Sequence, residues 1–261
     1  MNEKPGFFIY LNREKAEYSL SWEAKELQKK IEFLILVLAL IGIYAVSRNL
    51  EKYVQSDQVK SVNQRQMNTV VIDSGHGGSD PGKVGINDVL EKDINLKIAK
   101  RVEKELKEKG YKVVMTREKD EMLTKEDSGN IKVKDMKTRV ELINETAPGL
   151  AVSIHQNSYH EEEIHGAQVF YFSHSEEGME AAKLIQQSLL SVDEENKRQE
   201  KANDTYYLLR RTQVPTVIVE CGFLSNQKEA EHLTQKNYQD KIAKAIVEGI
   251  DTYLKKVSAS E

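Results

Sequence analysis

Thr69-Val70-Val71-Ile72-Asp73-Ser74-Gly75-His76-Gly77-Gly78 is a β-branched run that passes directly into a glycine-rich loop. Such a run reads as a strand buried on both faces, and the glycines let the backbone turn sharply and approach a ligand. Downstream, Leu90, Ile94, Ile98, Val102 and Leu106 recur at every fourth position, the apolar stripe of one helix. Gly110 ends that helix at the position after its cap, and Tyr111 to Met115 is the next strand. The pattern continues with a helix over Asp135 to Glu145 and strands over Leu150 to Ile154 and Gln168 to Phe172. A helix over Met179 to Leu190, a short strand over Tyr206 to Leu209 and a strand over Thr216 to Val219 follow. A last helix carries Ile242, Ile246, Ile250 and Leu254 on one face. Alternation of this kind predicts an α/β fold, a mostly parallel twisted sheet with helices on both faces. In such sheets ligands bind beyond the carboxyl ends of the strands.

Upstream of residue 69 the character changes. Phe33 to Val46 reads FLILVLALIGIYAV without a charge, after Lys25, Lys29 and Lys30. Three readings compete: an uncleaved membrane anchor, a signal peptide cut near Ala45-Val46-Ser47, and a core helix. The long segment before the run favours the anchor, with residues 1–32 cytoplasmic and the catalytic domain on the outer side of the membrane. Residues 33–47 would then be the anchor, 48–68 a polar linker and 69–256 a single catalytic domain. A net charge of −4 in 261 residues offers no basic surface for nucleic acid. A single cysteine, Cys221, excludes an intrachain disulfide and a cysteine-rich metal site.

Four chemically capable residues fall at one edge of the predicted sheet. His76 lies just past the first strand, and Glu91 in the first turn of the helix after it. The strands ending at Ile154 and Val219 run onto His155 and Glu220. Two imidazoles and one carboxylate form a catalytic zinc set, and a second carboxylate supplies the base that water activation needs. Each residue also has a plainer reading: Glu91 complementing the helix dipole, His155 simply hydrogen-bonded. Glu220 at the end of a buried run is costly to leave ionised without a partner. His160, His165, His174 and His232 fall outside this geometry and read as surface or structural residues.

Four separated stretches closely resemble the zinc N-acetylmuramoyl-L-alanine amidases of the amidase-3 type. They are Val71 to Gly78, Leu90-Glu91-Lys92-Asp93, Ser153 to Asn157, and Val219 to Asn226. Met115-Thr116-Arg117, Arg139 and Asn144 also match. The resemblance implies one zinc held by His76, Glu91 and His155, with Glu220 as the catalytic carboxylate. It implies cleavage of the amide between the lactyl group of N-acetylmuramic acid and the first L-alanine of the stem peptide. Ser74 stands where proline is common, and Gln156 where a small residue is common, so Gln156 is expected to alter substrate contacts. The segments Glu118 to Lys134 and Tyr206 to Arg210 resemble the germination-specific subgroup, which implies action on spore-cortex peptidoglycan before muramic-δ-lactam formation. Asn157, Arg117 and Arg210 are candidates for touching substrate, with Arg139 and Arg211 behind them, although a surface ion pair is the plainer reading of each arginine. The expected partners are glycan strands with stem peptides, the membrane through residues 33–47, and an activator protein. A zinc peptidase of the carboxypeptidase type would use a similar metal set, and an inactive wall-binding module would not need one.

Overall fold

The computed structural model describes residues 27, 29–31, 33–44, 65–86, 88–124 and 130–259. The chain divides into two units, Met1–Asn63 and Gln64–Glu261. In the first, the described residues between 27 and 44 are helical (α1), and the apolar side chains of Phe33, Leu34, Ile35 and Leu36 are exposed. Among the described residues no helix is long and apolar enough to cross a membrane. The helical residues 33–44 fall short of the roughly 20 that a bilayer requires. The span expected at 33–47 overlaps this helix at residues 33–44, and residues 45–47 lie outside the described ones.

The second unit carries β1 (Gln66–Ser74), α2 (Glu91–Glu108), β2 (Lys112–Met115), α3 (Ile131–Thr146), β3 (Pro148–Asn157) and β4 (Gln168–Tyr171). It continues with α4 (Glu176–Leu190), β5 (Lys201–Ala202), α5 (Tyr207–Arg211), β6 (Thr216–Phe223), α6 (Gln227–Thr234) and α7 (Lys236–Ser258). These strands form one sheet in the order β2-β1-β3-β6-β4-β5. Pairing is parallel from β2 through β6, β4 is antiparallel to β6, and β5 is parallel to β4.

The two-residue period of the strands sorts their apolar residues between two cores. Val70, Ile72, Leu150, Val152, Ile154, Val217 and Val219 face one side, where α2, α4 and α7 pack. Val71, Ala151 and Ile218 face the other, with Val140 and Ile143 of α3 and Leu208 and Leu209 of α5. The stripe Ile94, Ile98, Val102 and Leu106 of α2 is buried as its spacing predicts. Each such side chain contributes about 1.5–3 kcal/mol by leaving water. Helix α7 approaches α4 so closely that a Cβ on Gly249 would stand 2.5 Å from the Ile185 Cα.

Several boundaries differ from expectation. Strand β1 begins at Gln66, inside the predicted linker. Helix α3 begins at Ile131 rather than Asp135, because the Asn130 side chain accepts the Val133 N–H and caps the first turn. Strands β3 and β6 run past the predicted ends, so His155 and Glu220 lie within paired strands, opposite one another in register. The expected strand at Tyr206 to Leu209 is the helix α5. The Asn203 Oδ1 accepts the N–H groups of Thr205 and Tyr206, turning the chain into a helical start, while Lys201–Ala202 takes the edge position beside β4.

Candidate active site

β1 delivers the chain to the sheet edge, where Gly75 and His76 follow. A Cβ on Gly75 would meet the His155 ring at 2.3 Å, so only glycine lets that imidazole lie across the loop. His76 has φ of 61°, a left-handed conformation that costs of order 1–3 kcal/mol in a non-glycine residue. Two contacts hold it there: the Arg139 guanidinium donates to the His76 carbonyl at 2.7 Å, and Asp80 Oδ2 lies 2.7 Å from His76 Nδ1. The turn is closed by reciprocal backbone hydrogen bonds between Gly77 and Asp80.

Glu91 is the hub. Its Oε1 lies 2.9 Å from His155 Nδ1 and accepts the Gln156 N–H at 3.1 Å and the Asn95 amide at 3.3 Å. Its Oε2 accepts the Lys83 N–H at 2.8 Å and lies 3.2 Å from His76 Nε2. The two imidazoles meet edge to face, 5.0 Å between centroids. One donor atom each from His76, Glu91 and His155 lies within 4.8 Å of the others. Burial raises the Glu91 pKa, but the two imidazoles outweigh it and hold the carboxyl well below the usual range. Conversely, burial lowers the His155 pKa, and Glu91 followed by Glu220 and Asp73 drives it up to about 9.

Glu220 is placed differently. It lies in β6 between His155 of β3 and Gln168 of β4, and its buried Oε2 has no hydrogen-bond partner among the described residues. Burial raises its pKa to about 7, with the imidazoles of His155 and His76 pulling down and the Glu91 charge pushing up. A carboxyl balanced near neutrality can both take and return a proton.

A layer behind these residues went unforeseen. Asn95 donates to the Gly75 carbonyl as well as to Glu91, and accepts from the Gln156 side chain at 3.1 Å. Gln156 is thus buried behind the site rather than facing substrate. Arg117, expected to touch substrate, is also buried, and its nitrogens donate to the carbonyls of Ser74, Gly75, Lys92 and Lys119. Arg139 is consumed in the same way by Asp73, Asp135, Ser74 and His76. Both arginines staple the loop that carries His76. Asn157 turns its Oδ1 to the Ser158 N–H at 2.8 Å. Arg210 is exposed on α5, and Arg211 lies over the Tyr207 ring at 5.7 Å. Of the four other histidines, His160 and His232 lie tilted against Tyr159 and Tyr238, and His174 meets Phe172 edge to face. A cavity of about 370 Å³ bounded by His165, Glu229, His232 and Tyr238 contains none of the converging residues, and the chemistry belongs to the His–Glu–His crevice instead.

Asp80 and Asn95 carried a signal that sequence alone offers only in hindsight of the hub: each lies four residues beyond a site residue, His76 and Glu91. The Lys83 N–H, a backbone donor, carried none.

A mixed sheet beside whose strand ends two imidazoles and two buried carboxylates converge has the donor set and the proton carrier of a metal-assisted hydrolase. Residues 70–252 match the N-acetylmuramoyl-L-alanine amidase family, and the chain belongs to that family. It is 40% identical over 187 residues to the germination-specific N-acetylmuramoyl-L-alanine amidase of Bacillus subtilis, covering 70% of this chain and 78% of that one. Among solved structures it is similar to the CwlD amidase of Clostridioides difficile in complex with the GerS lipoprotein. The TM-score is 0.70 at 40% identity, with 72% of this chain and 98% of that one covered. The catalytic domain of CwlV from Bacillus (Paenibacillus) polymyxa matches with a TM-score of 0.64 at 31% identity, over 72% and 98% of the two chains.

Proposed function

We propose that His76, Glu91 and His155 hold one zinc ion and that Glu220 transfers the proton as the chain hydrolyses the bond between N-acetylmuramic acid and L-alanine in peptidoglycan. The observation that carries this reading is the convergence of three donor atoms within 4.8 Å beside a buried carboxylate oxygen with no hydrogen-bond partner among the described residues. Two imidazoles and a carboxylate suit zinc, whereas magnesium and calcium call for oxygen-rich shells. A bound zinc supplies Lewis acidity toward the scissile carbonyl and toward water. Asp80, 2.7 Å from His76 Nδ1, suits the tautomer protonated there, which would turn the Nε2 lone pair toward Glu91 and the crevice. Asn95, the Gln156 N–H and the Lys83 N–H fix both oxygens of Glu91. Glu220 takes the proton of the attacking water and passes it to the leaving nitrogen of L-alanine as the carbon–nitrogen bond breaks. Asn157 and Arg210 remain candidates for contacting the glycan or peptide around this centre.

The full chain is expected to contain about one zinc and to lose activity on chelation. Mass spectrometry of digested muropeptides should show free stem peptides beginning at L-alanine. Cleavage within the stem peptide instead would support a peptidase and sink the amidase reading.

The likeness to an amidase named for germination, and to one solved with a lipoprotein, supports spore-cortex peptidoglycan as the substrate and an activator protein as a partner. The charge-free run Phe33 to Val46 supports a membrane anchor that leaves the catalytic domain outside. Full-length protein is then expected in the membrane fraction with Met1 retained. A mature N-terminus near Arg48 would establish a cleaved signal.

A further inference from the structure

Tyr206 has no part in the machinery described above, yet its position is built with care. The Asn203 N–H donates to the Tyr171 carbonyl at the end of β4, and its Oδ1 accepts the Thr205 and Tyr206 N–H groups at 2.8 and 2.9 Å. The Tyr206 ring is thereby set edge-on against Phe170, 5.6 Å between centroids at 84°. Phe170 pairs with Ile218, and Gln168, two residues before it, pairs with Glu220. Tyr206 therefore packs on the sheet face that carries Ile218 and, two residues further along the same strand, Glu220. The ring is half-buried, and its hydroxyl has no hydrogen-bond partner among the described residues. Burial, then the charges of Glu220 and Glu91, push that hydroxyl up to about 12, so it stays protonated at neutral pH. A phenol with no acceptor among the described residues, on the sheet face that carries Glu220, is a donor awaiting a ligand oxygen. At a scissile amide the nitrogen is itself a donor, and the acceptor is the acyl oxygen.

We propose that the Tyr206 hydroxyl is a catalytic hydrogen-bond donor to the scissile acyl oxygen, strengthening as negative charge develops there. This rests on the amidase reading of the site. Donors of this kind act on the transition state, and removing one lowers turnover by about 10²–10³-fold.

The test is Tyr206→Phe in the full-length zinc-loaded enzyme, compared with wild type on a purified disaccharide–peptide muropeptide. Phenylalanine keeps the ring contact with Phe170 and removes only the oxygen. Zinc content and Tm should match wild type, KM should hold, and kcat should fall by about 10²–10³-fold. Unchanged kcat, a rise in KM alone, or a loss of activity that tracks lowered Tm or lost zinc would each overturn the proposal while leaving the amidase reading intact. A wild-type protein that frees no L-alanine terminus overturns both.

Discussion

Glu220→Gln is expected to keep its zinc and to hydrolyse about 10²–10⁴-fold more slowly. The amide matches the carboxylate in shape but offers no basic oxygen to the attacking water. It also removes a buried ionisable group whose pKa stands near 7, so nothing in the folded state should suffer from the change. Glu91→Gln is the necessary companion. That residue sits between both imidazoles with each oxygen already engaged, and its carboxyl is held well below the ordinary range. An amide there places an NH₂ group where an acceptor is required, facing a backbone N–H or an imidazole. The metal should leave, and added zinc should restore activity only in part. Measuring zinc content and turnover on both variants separates the roles, and a Glu220→Gln protein that loses its zinc while Glu91→Gln keeps it reverses them.

Arg139→Ala should lower stability by about 3–5 kcal/mol, because it strands buried charges rather than a surface ion pair. The guanidinium is 1% exposed and donates to Asp73 at 2.6 Å, Asp135 at 2.8 Å, and the Ser74 and His76 carbonyls. For a domain of this size each kcal/mol moves Tm by about 2–4 °C, so a fall of roughly 10 °C is expected. The pH dependence follows from Asp73. Burial raises its pKa, but Arg139, then the Ser153 hydroxyl, His155 and the Thr116 hydroxyl, outweigh that and bring it from 3.8 to about 2. A depressed folded-state pKa stabilises above the unfolded value and is lost as pH falls through the folded one. Wild type should thus lose this contribution as pH falls from about 4 to 2, whereas Arg139→Ala, already destabilised at neutral pH and without the main partner that lowers Asp73, should lose less over the same interval. Acid and thermal unfolding curves that superimpose for the two proteins would remove Arg139 from this role.

Period and composition made much of this architecture legible. The four-residue stripe of α2 and the β-branched runs of β1 and β6 specify burial on their own, because no other arrangement removes those side chains from water. The convergence of His76, Glu91, His155 and Glu220 was legible for a related reason: buried runs that end at one sheet edge bring the residues that follow them together. What escaped was decided by contacts between distant residues. The roles of Arg117 and Arg139 depend on backbone carbonyls brought beneath them by the fold, and nothing in Met115-Thr116-Arg117 distinguishes a buried guanidinium from one reaching into solvent. Gln156 alternates with His155 along β3, so its side chain goes to the opposite face, a consequence hidden until the strand was seen to continue through Asn157. The segment after Asn203 reads as apolar and extended until the asparagine's capping is known.

Because β1, β3 and β6 lie side by side while their residues are widely separated along the chain, the proposed ligands His76, Glu91 and His155 do not meet until the centre of the sheet has closed. Parallel pairings of this span form late, since each must first overcome the entropy of a long loop. A nascent or unfolded chain consequently offers zinc only scattered imidazoles and carboxylates, with none of the cooperation that gives a finished site its affinity. Assembly order works as a safety catch: an activity able to dismantle peptidoglycan stays silent until the fold is complete.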